Sequence, residues 1–328
     1  MRLIRDTNYD FMGKRYVAFA FSLLIIVPGI ISMVVRGGLN LGVDFTGGTQ
    51  VEVQVTTPAG GNASQVPIEK VRAAVAAAGY DNRSIQRAGG GEVNDFLIHV
   101  QATQTGQQVT GEETGGRHVS EAIVAEVAKA FPDMRVELRQ VQSVGPKVGS
   151  ELKSAAVQAV LAAILLILIY VAFRFEFRFG VGTIIAAGHD VLFILGLYSL
   201  FNKELTLTVI AAFLTLVGYS VNDTIVVFDR IREELKLRGK RDPYAVIFNS
   251  AINKTLSRTL LTGVTTLFVL AALYVAGGEV VHDFAWVLLI GIVVGTYSSI
   301  FVAAPLMVEW QKRSDLRAAA KATARAGA

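Results

Sequence analysis

The sequence predicts a polytopic α-helical membrane protein with six transmembrane helices and one external α+β domain of ferredoxin-like fold. Three observations predict this class. Of the 328 residues, 52% are hydrophobic and only 18% are charged, whereas a soluble domain carries about 25% charged residues. Six segments reach the ~20 predominantly apolar residues that a membrane helix needs. Between the first two of these segments, residues 36–154 alternate strand-like and helix-like patterns.

The predicted spans are, in chain order, residues 16–35, 155–173, 179–201, 205–228, 259–277 and 284–308. The first span carries no charge, and its apolar run exceeds the 7–15 residues of a signal-peptide core, so we expect a retained anchor. Small residues recur every fourth position in two spans, which favours close helix packing in lipid. They are Ala155, Ala159 and Ala163 in the second span, and Gly291, Gly295, Ser299 and Ala303 in the sixth.

The distribution of Lys and Arg predicts the orientation of the six spans. In a six-span arrangement, 19 Lys and Arg residues fall on one side, and the two short loops on the other side carry only Lys203. The positive-inside rule therefore predicts a cytoplasmic N-terminus (residues 1–15), a cytoplasmic loop (229–258) and a cytoplasmic tail (309–328). Residues 36–154, which hold 11 basic and 13 acidic residues, are predicted to lie outside, in the periplasm or its equivalent. The basic excess thus reflects membrane orientation, and no nucleic-acid partner is expected.

The external segment has the pattern of a β-α-β-β-α-β unit. Residues 50–55 alternate as a half-buried strand does, and Pro67 opens an amphipathic helix. Two further strands are predicted at residues 84–87 and 96–101, around the glycines at 89–91. Ser120 is expected to cap a second helix that ends at Ala130, and residues 135–144 form the last strand. This order is the split βαβ, or ferredoxin-like, arrangement.

No enzymatic site is predicted. The chain has no Cys, which excludes a thiolate nucleophile, a disulfide and Cys-based metal sites. The four histidines lack metal-ligand spacing, and no phosphate-binding G-x-x-x-x-G-K-[ST] loop occurs. We therefore expect no metal, no cofactor and no direct use of ATP. The histidines are His99, His118, His189 and His282.

Ionisable side chains inside the spans are the candidate functional residues, because each costs at least ~2.5–3.5 kcal/mol at the bilayer centre. His189 and Asp190 lie in the third span, Asp223 lies in the fourth, and Arg258 opens the fifth. The helix directions place all four in the cytoplasmic half. A polar stripe supports Asp223 on its own helix and comprises Thr215, Tyr219, Ser220 and Asn222.

Two interpretations of these charges remain open. In the functional one, Asp223 is ionised beside Arg258 and is protonated when that partner withdraws or water reaches it. In the structural one, a static buried ion pair fixes the helix register. Arg258 also has the option of extending to the interface from its helix end. His189 and Asp190 either support the relay or are packing groups that satisfy each other.

Several motifs resemble the SecF family, the six-span membrane subunits of the bacterial SecD–SecF protein-export complex, and the likeness covers essentially the whole chain. They are Gly42-Val43-Asp44-Phe45-Thr46-Gly47-Gly48-Thr49, residues 218–233 around Asp223, the pair His189-Asp190 and residues 253–259 before the fifth span.

The resemblance implies a fold of the resistance–nodulation–division superfamily, in which this chain supplies one six-helix half and SecD supplies the other. It implies a heterodimer in the bacterial cytoplasmic (inner) membrane that associates with the SecYEG channel. There the proton-motive force completes the translocation of an unfolded polypeptide begun by SecA. Asp223 would be the protonatable carboxylate and Arg258 its partner. Residues Asp44, Phe45, Thr46, Gly47 and Gly48 would shape the start of the external domain.

Two other functions compete with proton-driven export of proteins. One is half of a proton-driven exporter of small molecules or lipids, although such chains usually hold both six-helix halves. The other is a passive scaffold that holds the translocase together, for which Asp223 would be replaceable.

Overall fold

The computed structural model describes residues 7–57, 66–80, 85–88, 94–100, 112–174, 177–238 and 242–326. The chain divides into two compact units. The helical unit comprises Met1–Asn40, Val160–Glu204 and Thr208–Ala328, and the mixed unit comprises Leu41–Ala159 with Leu205–Leu207.

The elements of the described chain alternate between the two units. In order they are α1 (Arg15–Val35), α2 (Val43–Thr46), β1 (Gly48–Thr56), α3 (Ile68–Ala77), β2 (Ile85–Ala88), β3 (Asp95–Val100), α4 (Glu112–Ala130), β4 (Arg135–Val144), α5 (Pro146–Arg174), α6 (Phe177–Leu200), α7 (Leu207–Arg238), α8 (Tyr244–Ala276), α9 (Glu279–Ser298), a π-helix (Ser299–Ala303) and α10 (Ala304–Ala326).

Six helices of the described chain are long and apolar enough to cross a membrane, as the sequence predicts. They are Arg15–Val35, Pro146–Val171, Phe177–Leu200, Leu207–Arg238, Tyr244–Ala276 and Val281–Arg317. Four of them extend well past the predicted spans: α5 begins at Pro146, α7 reaches Arg238, α8 begins at Tyr244, and the sixth helix continues through the predicted tail to Ala326. Charged residues prolong these helices because Lys, Arg and Glu are good helix formers in water.

Small residues allow the closest helix contacts in the helical unit. A Cβ added at Gly29 of α1 would overlap the backbone of Gly196 on α6, and one at Gly291 of α9 would overlap Leu216 on α7. The small-residue stripe of the sixth span therefore packs as predicted. The stripe of the second span does not pack, because Ala155 and Ala159 are exposed on α5.

The core of the helical unit gathers apolar side chains from α6, α7, α8 and the final helix. It includes Phe228, Phe248, Ile252 and Met307, together with Met12 from the segment before α1. Phe179 meets Phe228 edge to face, with ring centroids 5.2 Å apart. Rigid packing here fixes the neighbouring helices that carry the intramembrane charges.

The mixed unit has one four-stranded sheet of order β2-β3-β1-β4, in which all neighbouring strands are antiparallel. Helix α3 connects β1 to β2, and α4 connects β3 to β4, so the predicted β-α-β-β-α-β order is present. One face of the sheet packs on the two helices. Its core includes Val51 and Val53 from β1, Phe96 and Ile98 from β3, and Ile123 from α4.

One local prediction for the mixed unit is wrong. Ser120 does not cap the second helix, because α4 already begins at Glu112 and the Ser120 hydroxyl donates to the Arg117 carbonyl within it. The segment before β1 contains one short helix, α2, Val43–Thr46, which ends at the turn into β1. Some residues named in the predictions lie outside the described residues. They are the glycines at 89–91, positions 84 and 101 of the predicted strands, and four of the 19 Lys and Arg residues used to predict the orientation. Those cations are Arg2, Arg5, Lys240 and Arg241.

Candidate functional site

Two aspartates that lie within predicted spans are buried in the helical unit. Asp190 on α6 is 1% exposed and Asp223 on α7 is 8% exposed. A charged or polar group that is removed from water is costly unless hydrogen bonds replace its hydration. Their neighbours therefore decide what each carboxylate can do.

Asp190 accepts hydrogen bonds from side chains of three helices. The Ser220 hydroxyl on α7 and the Ser298 hydroxyl on α9 both donate to Oδ2, at 2.5 and 2.9 Å. His189 Nδ1, on the same helix, lies 2.9 Å from Oδ1. Both carboxylate oxygens are thus satisfied, and Asp190 joins α6, α7 and α9 at one point.

His189 extends this network toward α1. Its Nε2 lies 2.9 Å from the Ser22 hydroxyl, which in turn lies 3.2 Å from the Tyr297 hydroxyl. Tyr297 donates to the carbonyl oxygen of Ala18 on α1. A continuous chain of exchangeable protons therefore runs from Asp190 through His189 and Ser22 to Tyr297.

Asp223 has a looser set of partners. The Ser299 hydroxyl donates to its Oδ2 at 3.4 Å, and the hydroxyls of Thr259 and Thr296 also face the carboxylate. Ser298 and Ser299 are consecutive, yet they serve different carboxylates, at the point where α9 passes into the π-helix. Single π-helical turns inside α-helices are frequent at functional sites because they redirect neighbouring side chains.

Arg258 lies near Asp223 but does not pair with it directly. The two side chains interact electrostatically, but their charged atoms are not within the 4 Å of an ion pair, and Arg258 is exposed on α8. Its neighbour Thr259 is buried and faces the carboxylate instead. Because the two side chains are not in direct contact, the distance between Asp223 and Arg258 can change without an ion pair being broken.

The polar stripe of α7 divides between different environments. Ser220 belongs to the Asp190 network, and Tyr219 is half-buried near Thr266 of α8. Thr215 is exposed and donates to the Ala211 carbonyl of its own helix, and Asn222 is also exposed. Only part of the predicted stripe therefore contacts the two carboxylates.

The glycine-containing motif of the mixed unit is organised by Asp44. This side chain is 7% exposed, and it accepts hydrogen bonds at 2.8 Å from Gln142 Nε2 of β4 and from the backbone N–H of Leu207. Phe45 is buried, and the Thr46 hydroxyl donates to the Gly42 carbonyl. Gly47 and Gly48 follow with φ of +69° and +124°, a region that favours glycine. The motif thus builds a turn that enters β1.

The sequence did not single out four side chains of the site: Ser22, Tyr297, Ser298 and Ser299. The available signal was the occurrence of hydroxyl groups within otherwise apolar spans, since polar side chains in membrane helices tend to face other helices. Among the described residues, no group of three or more His, Asp or Glu is placed to hold a metal ion. The hydrogen-bonded chain of carboxylate, imidazole and hydroxyl groups is an arrangement through which protons can be transferred.

Two protein families match the sequence. The family described as "Protein export membrane protein SecD/SecF, C-terminal" matches residues 123–313, and the "SecD/SecF GG Motif" matches residues 31–59. The first match covers the five later spans, including His189, Asp190, Asp223 and Arg258. The second covers the Asp44–Gly48 motif.

Similar curated proteins share nearly the whole chain. The protein translocase subunit SecF of Gemmatimonas aurantiaca is 39% identical over 99% of this chain and 94% of its own. The protein of the same name from Magnetococcus marinus is 44% identical, over 97% of both chains.

Solved structures extend the likeness to the fold. The crystal structure of SecDF, a translocon-associated membrane protein, from Thermus thermophilus has a TM-score of 0.76 at 37% identity, over 94% of this chain. A SecDF structure in a super-membrane-facing form has a TM-score of 0.66 at 38% identity. The chain covers 39% and 41% of these two longer chains.

Proposed function

The chain belongs to the SecD/SecF family of protein-export membrane proteins, as a translocase subunit of the SecF type, and from that membership we propose a proton-driven function. With SecD it uses the proton-motive force to complete protein translocation after the SecA-dependent step. Asp223 is the carboxylate that takes up and releases the proton, and Arg258 is its cationic partner.

The observation that carries this proposal is the environment of Asp223. This carboxylate is 8% exposed and is faced by hydroxyl groups, of which Ser299 lies at 3.4 Å, while Arg258 stays beyond ion-pair distance. When it is ionised, Arg258 attracts it across a poorly screening medium; when it is protonated, that attraction is lost. Each proton that crosses the membrane supplies ~2.3 kcal/mol per 100 mV. This is enough to shift the balance between two helix arrangements.

Asp190 and His189 act as the second part of the relay. Their hydrogen-bonded chain to Ser22 and Tyr297 offers a route for proton exchange across α6, α1 and α9. The neighbouring residues Ser298 and Ser299 bond to Asp190 and Asp223 respectively, so the two carboxylates are close in the fold. Protonation of one carboxylate therefore changes the electrostatic field at the other.

Movement of α7 is the proposed link to mechanical work. This helix carries Asp223 and Ser220, and the N–H of its first residue, Leu207, is bound by Asp44. A change in the position of α7 when Asp223 changes charge would reach the mixed unit through the chain itself, because Leu207 belongs to that unit and Thr208 to the helical unit. The external domain, residues 36–154, would move against the emerging polypeptide.

The setting of this activity follows from the same family. We place the chain in the bacterial cytoplasmic membrane, with both termini in the cytoplasm, in a heterodimer with SecD that associates with SecYEG. SecF relatives are named translocase subunits, which agrees with a role that is not enzymatic.

The decisive variant is Asp223→Asn, which keeps the size of the side chain and removes its exchangeable charge. We expect it to lower proton-gradient-dependent export of a secreted protein to the level seen without a gradient, at unchanged protein abundance. The measurement is export into inverted vesicles that contain the complex, with and without an imposed gradient. Thr265→Ala serves as the control, because its exposed hydroxyl bonds only to carbonyls of its own helix.

Arg258→Lys tests the partner separately, since Lys keeps the charge but loses the planar fork. We expect most of the export to be kept, because the interaction with Asp223 is a charge attraction without bidentate contact. Export as low as in Asp223→Asn would contradict this description of the pair. Full export by Asp223→Asn would contradict the proton relay and favour the passive scaffold.

A further inference from the structure

A polar cavity lies between the ends of α7 and α8 that are predicted to be cytoplasmic. Its volume is about 1200 Å³, room for tens of water molecules at about 30 Å³ each. Its wall on α8 runs from Val246 to Leu261, and its wall on α7 runs from Val226 to Arg238. Arg258 is part of the wall, so the cavity reaches the residue that interacts with Asp223.

The other cations of the cavity wall are committed to one buried carboxylate. Glu234 on α7 is 1% exposed, and it pairs with Lys254 of α8 at 2.5 Å and with Arg230 and Arg238 at 3.0 Å. These pairs join the ends of α7 and α8. Arg258, by contrast, forms no ion pair with a described carboxylate, so its guanidinium is available to water and to the field of Asp223.

A third wall comes from the segment that precedes α1. Thr7 and Asn8 line the cavity, and residues Thr7–Met12, here called the N-terminal segment, run across α8. Met12 anchors the segment because its side chain is 1% exposed in the core of the helical unit. The segment therefore lies beside the same cavity into which Arg258 projects.

Two asparagines hold the N-terminal segment by its backbone. Asn253 accepts from the Tyr9 N–H at 3.0 Å and donates to the Tyr9 carbonyl at 2.9 Å, as a paired strand would. One turn earlier, Asn249 accepts from the N–H groups of Phe11 and Met12, both at 3.0 Å. Asn249 also donates to Asp10, whose pKa is lowered first by the Gly13 N–H and then by this amide. Both asparagines sit on one face of α8, four residues apart.

We infer that this cavity is a water-filled vestibule through which protons pass between Asp223 and the cytoplasm, and that Asn249 and Asn253 are positioning residues that close its side with the N-terminal segment. The inference rests on the proposed function for the direction of proton flow. It adds the route, the wall and the two residues that hold the wall in place.

The absence of Cys from the chain allows a direct test of water access. Ser257→Cys and Leu261→Cys place a thiol in the cavity wall, and Phe268→Cys places one on the exposed face of the same helix beyond it. In the intact complex, a charged, membrane-impermeant thiol reagent should modify the first two at least about tenfold faster than the third. The reason is that a thiol in apolar surroundings forms little thiolate. Equal, slow modification of Leu261→Cys and Phe268→Cys would overturn the vestibule.

The role of the asparagines is tested in the Ser257→Cys background. Replacing both Asn249 and Asn253 by Ala removes the backbone contacts of the N-terminal segment and should raise the modification rate by about fivefold or more. Asn40→Ala is the matched control, since its amide bonds only to Asn202 in the described chain. An unchanged rate in the double variant would overturn the positioning role.

A third thiol separates opening of the vestibule from unfolding. Ala212→Cys lies in the packed interior of α7 with no exposure and should stay unmodified in every background. Its modification in the double variant would show general unfolding and would overturn the positioning role. Thiol labelling needs no proton flux, so its result is independent of the export experiment. If Asp223→Asn leaves export unchanged, the labelling can still support the vestibule. If the labelling contradicts the vestibule, a loss of export in Asp223→Asn still supports the proposed function.

Discussion

The two buried aspartates are satisfied to different degrees, and this difference separates their roles. Asp190 accepts from Ser220, Ser298 and His189 at 2.9 Å or less. The hydrogen bond from Ser299 to Asp223 is longer, at 3.4 Å, and two threonine hydroxyls also face that carboxylate. A tightly bonded carboxylate resists change because several donors must reorient together. Asp190 therefore anchors three helices through the network in which protons are proposed to exchange, and Asp223 is the group whose charge is proposed to switch.

Replacing Asp190 by Ala should destabilise the helical unit without changing its fold. The three hydrogen bonds that are lost are worth about 0.6–1.7 kcal/mol each in a membrane protein, so the free energy of unfolding should fall by roughly 2–5 kcal/mol. Reversible unfolding in lipid–detergent bicelles measures this fall. Thr265→Ala should shift the same transition by less than about 0.5 kcal/mol, and equal shifts in both variants would contradict the anchoring role.

The mixed unit should lose stability in mild acid because of His99. This side chain is 7% exposed beside Thr46, and burial lowers the pKa of its imidazole in the folded state. The unfolded chain, with a pKa of about 6.5, then binds the proton more readily, so stability falls as pH drops below that value. Pulse proteolysis between about pH 7 and pH 5 should show this fall.

The matched variant for that experiment is His99→Gln, which keeps a polar side chain on β3 and removes the titrating group. Its stability should vary less with pH over the same interval. A wild-type profile that is flat across it, or one that rises toward acid pH, would contradict the assignment to His99.

At the scale of elements, helix junctions determine which side chains meet. The π-helix after α9 directs Ser298 and Ser299 to separate carboxylates. The turn before β1 brings Asp44 to Gln142 of β4 and to the N–H of Leu207, which lacks a partner within its own helix. In both places a short irregular segment aligns polar groups that regular helices or strands would separate.

Gly47 should be less replaceable than other glycines of the mixed unit. Its φ is +69°, and an added Cβ would lie 2.9 Å from Pro146 Cα at the start of α5. Gly79 is the matched control, because its φ is +87° but an added Cβ meets nothing within 4 Å. Gly79→Ala should cost about 1–2 kcal/mol from backbone strain alone, and Gly47→Ala about 1–3 kcal/mol more from overpacking.

Chemical denaturation of the two glycine variants, monitored on the mixed unit, gives the comparison. Equal losses of unfolding free energy in the two variants would contradict the prediction. They would show that the backbone near Pro146 moves to accept the added Cβ at no cost in stability.

At the scale of the whole molecule, large apolar surfaces remain uncovered in the single chain. Leu161, Leu165 and Leu166 are exposed on α5, and Phe268 and Val269 are exposed on α8. These surfaces suit lipid or a second membrane half, and the chain covers only about two fifths of the solved SecDF chains.

The predicted orientation can be measured with single cysteines, since the chain contains none. An impermeant thiol reagent added to spheroplasts should label Asp133→Cys, which is exposed in the mixed unit. It should label Ser314→Cys, on α10, only after lysis. The physical basis is the placement of 19 Lys and Arg residues on one side, and the opposite labelling pattern would contradict it.

Features that depend on local pattern were predictable, and features that depend on distant contacts were not. Runs of apolar residues located all six spans, and alternation located β4 at residues 135–144 as observed. The start of α4 was missed because Gly115, Gly116 and Ser120 discourage a helix locally, and packing of Val119 and Ile123 on the sheet overrides that preference.

The sequence by itself determined the class, the six spans, their predicted orientation and the residues whose charge is expensive in lipid. Length, hydropathy and the placement of Lys and Arg are properties of the chain alone, so they needed no partner. Only the tertiary structure decided which groups surround each carboxylate. Ser22, Ser298 and Arg258 come from helices far apart in the chain, and their distances from Asp190 and Asp223 depend on how those helices pack.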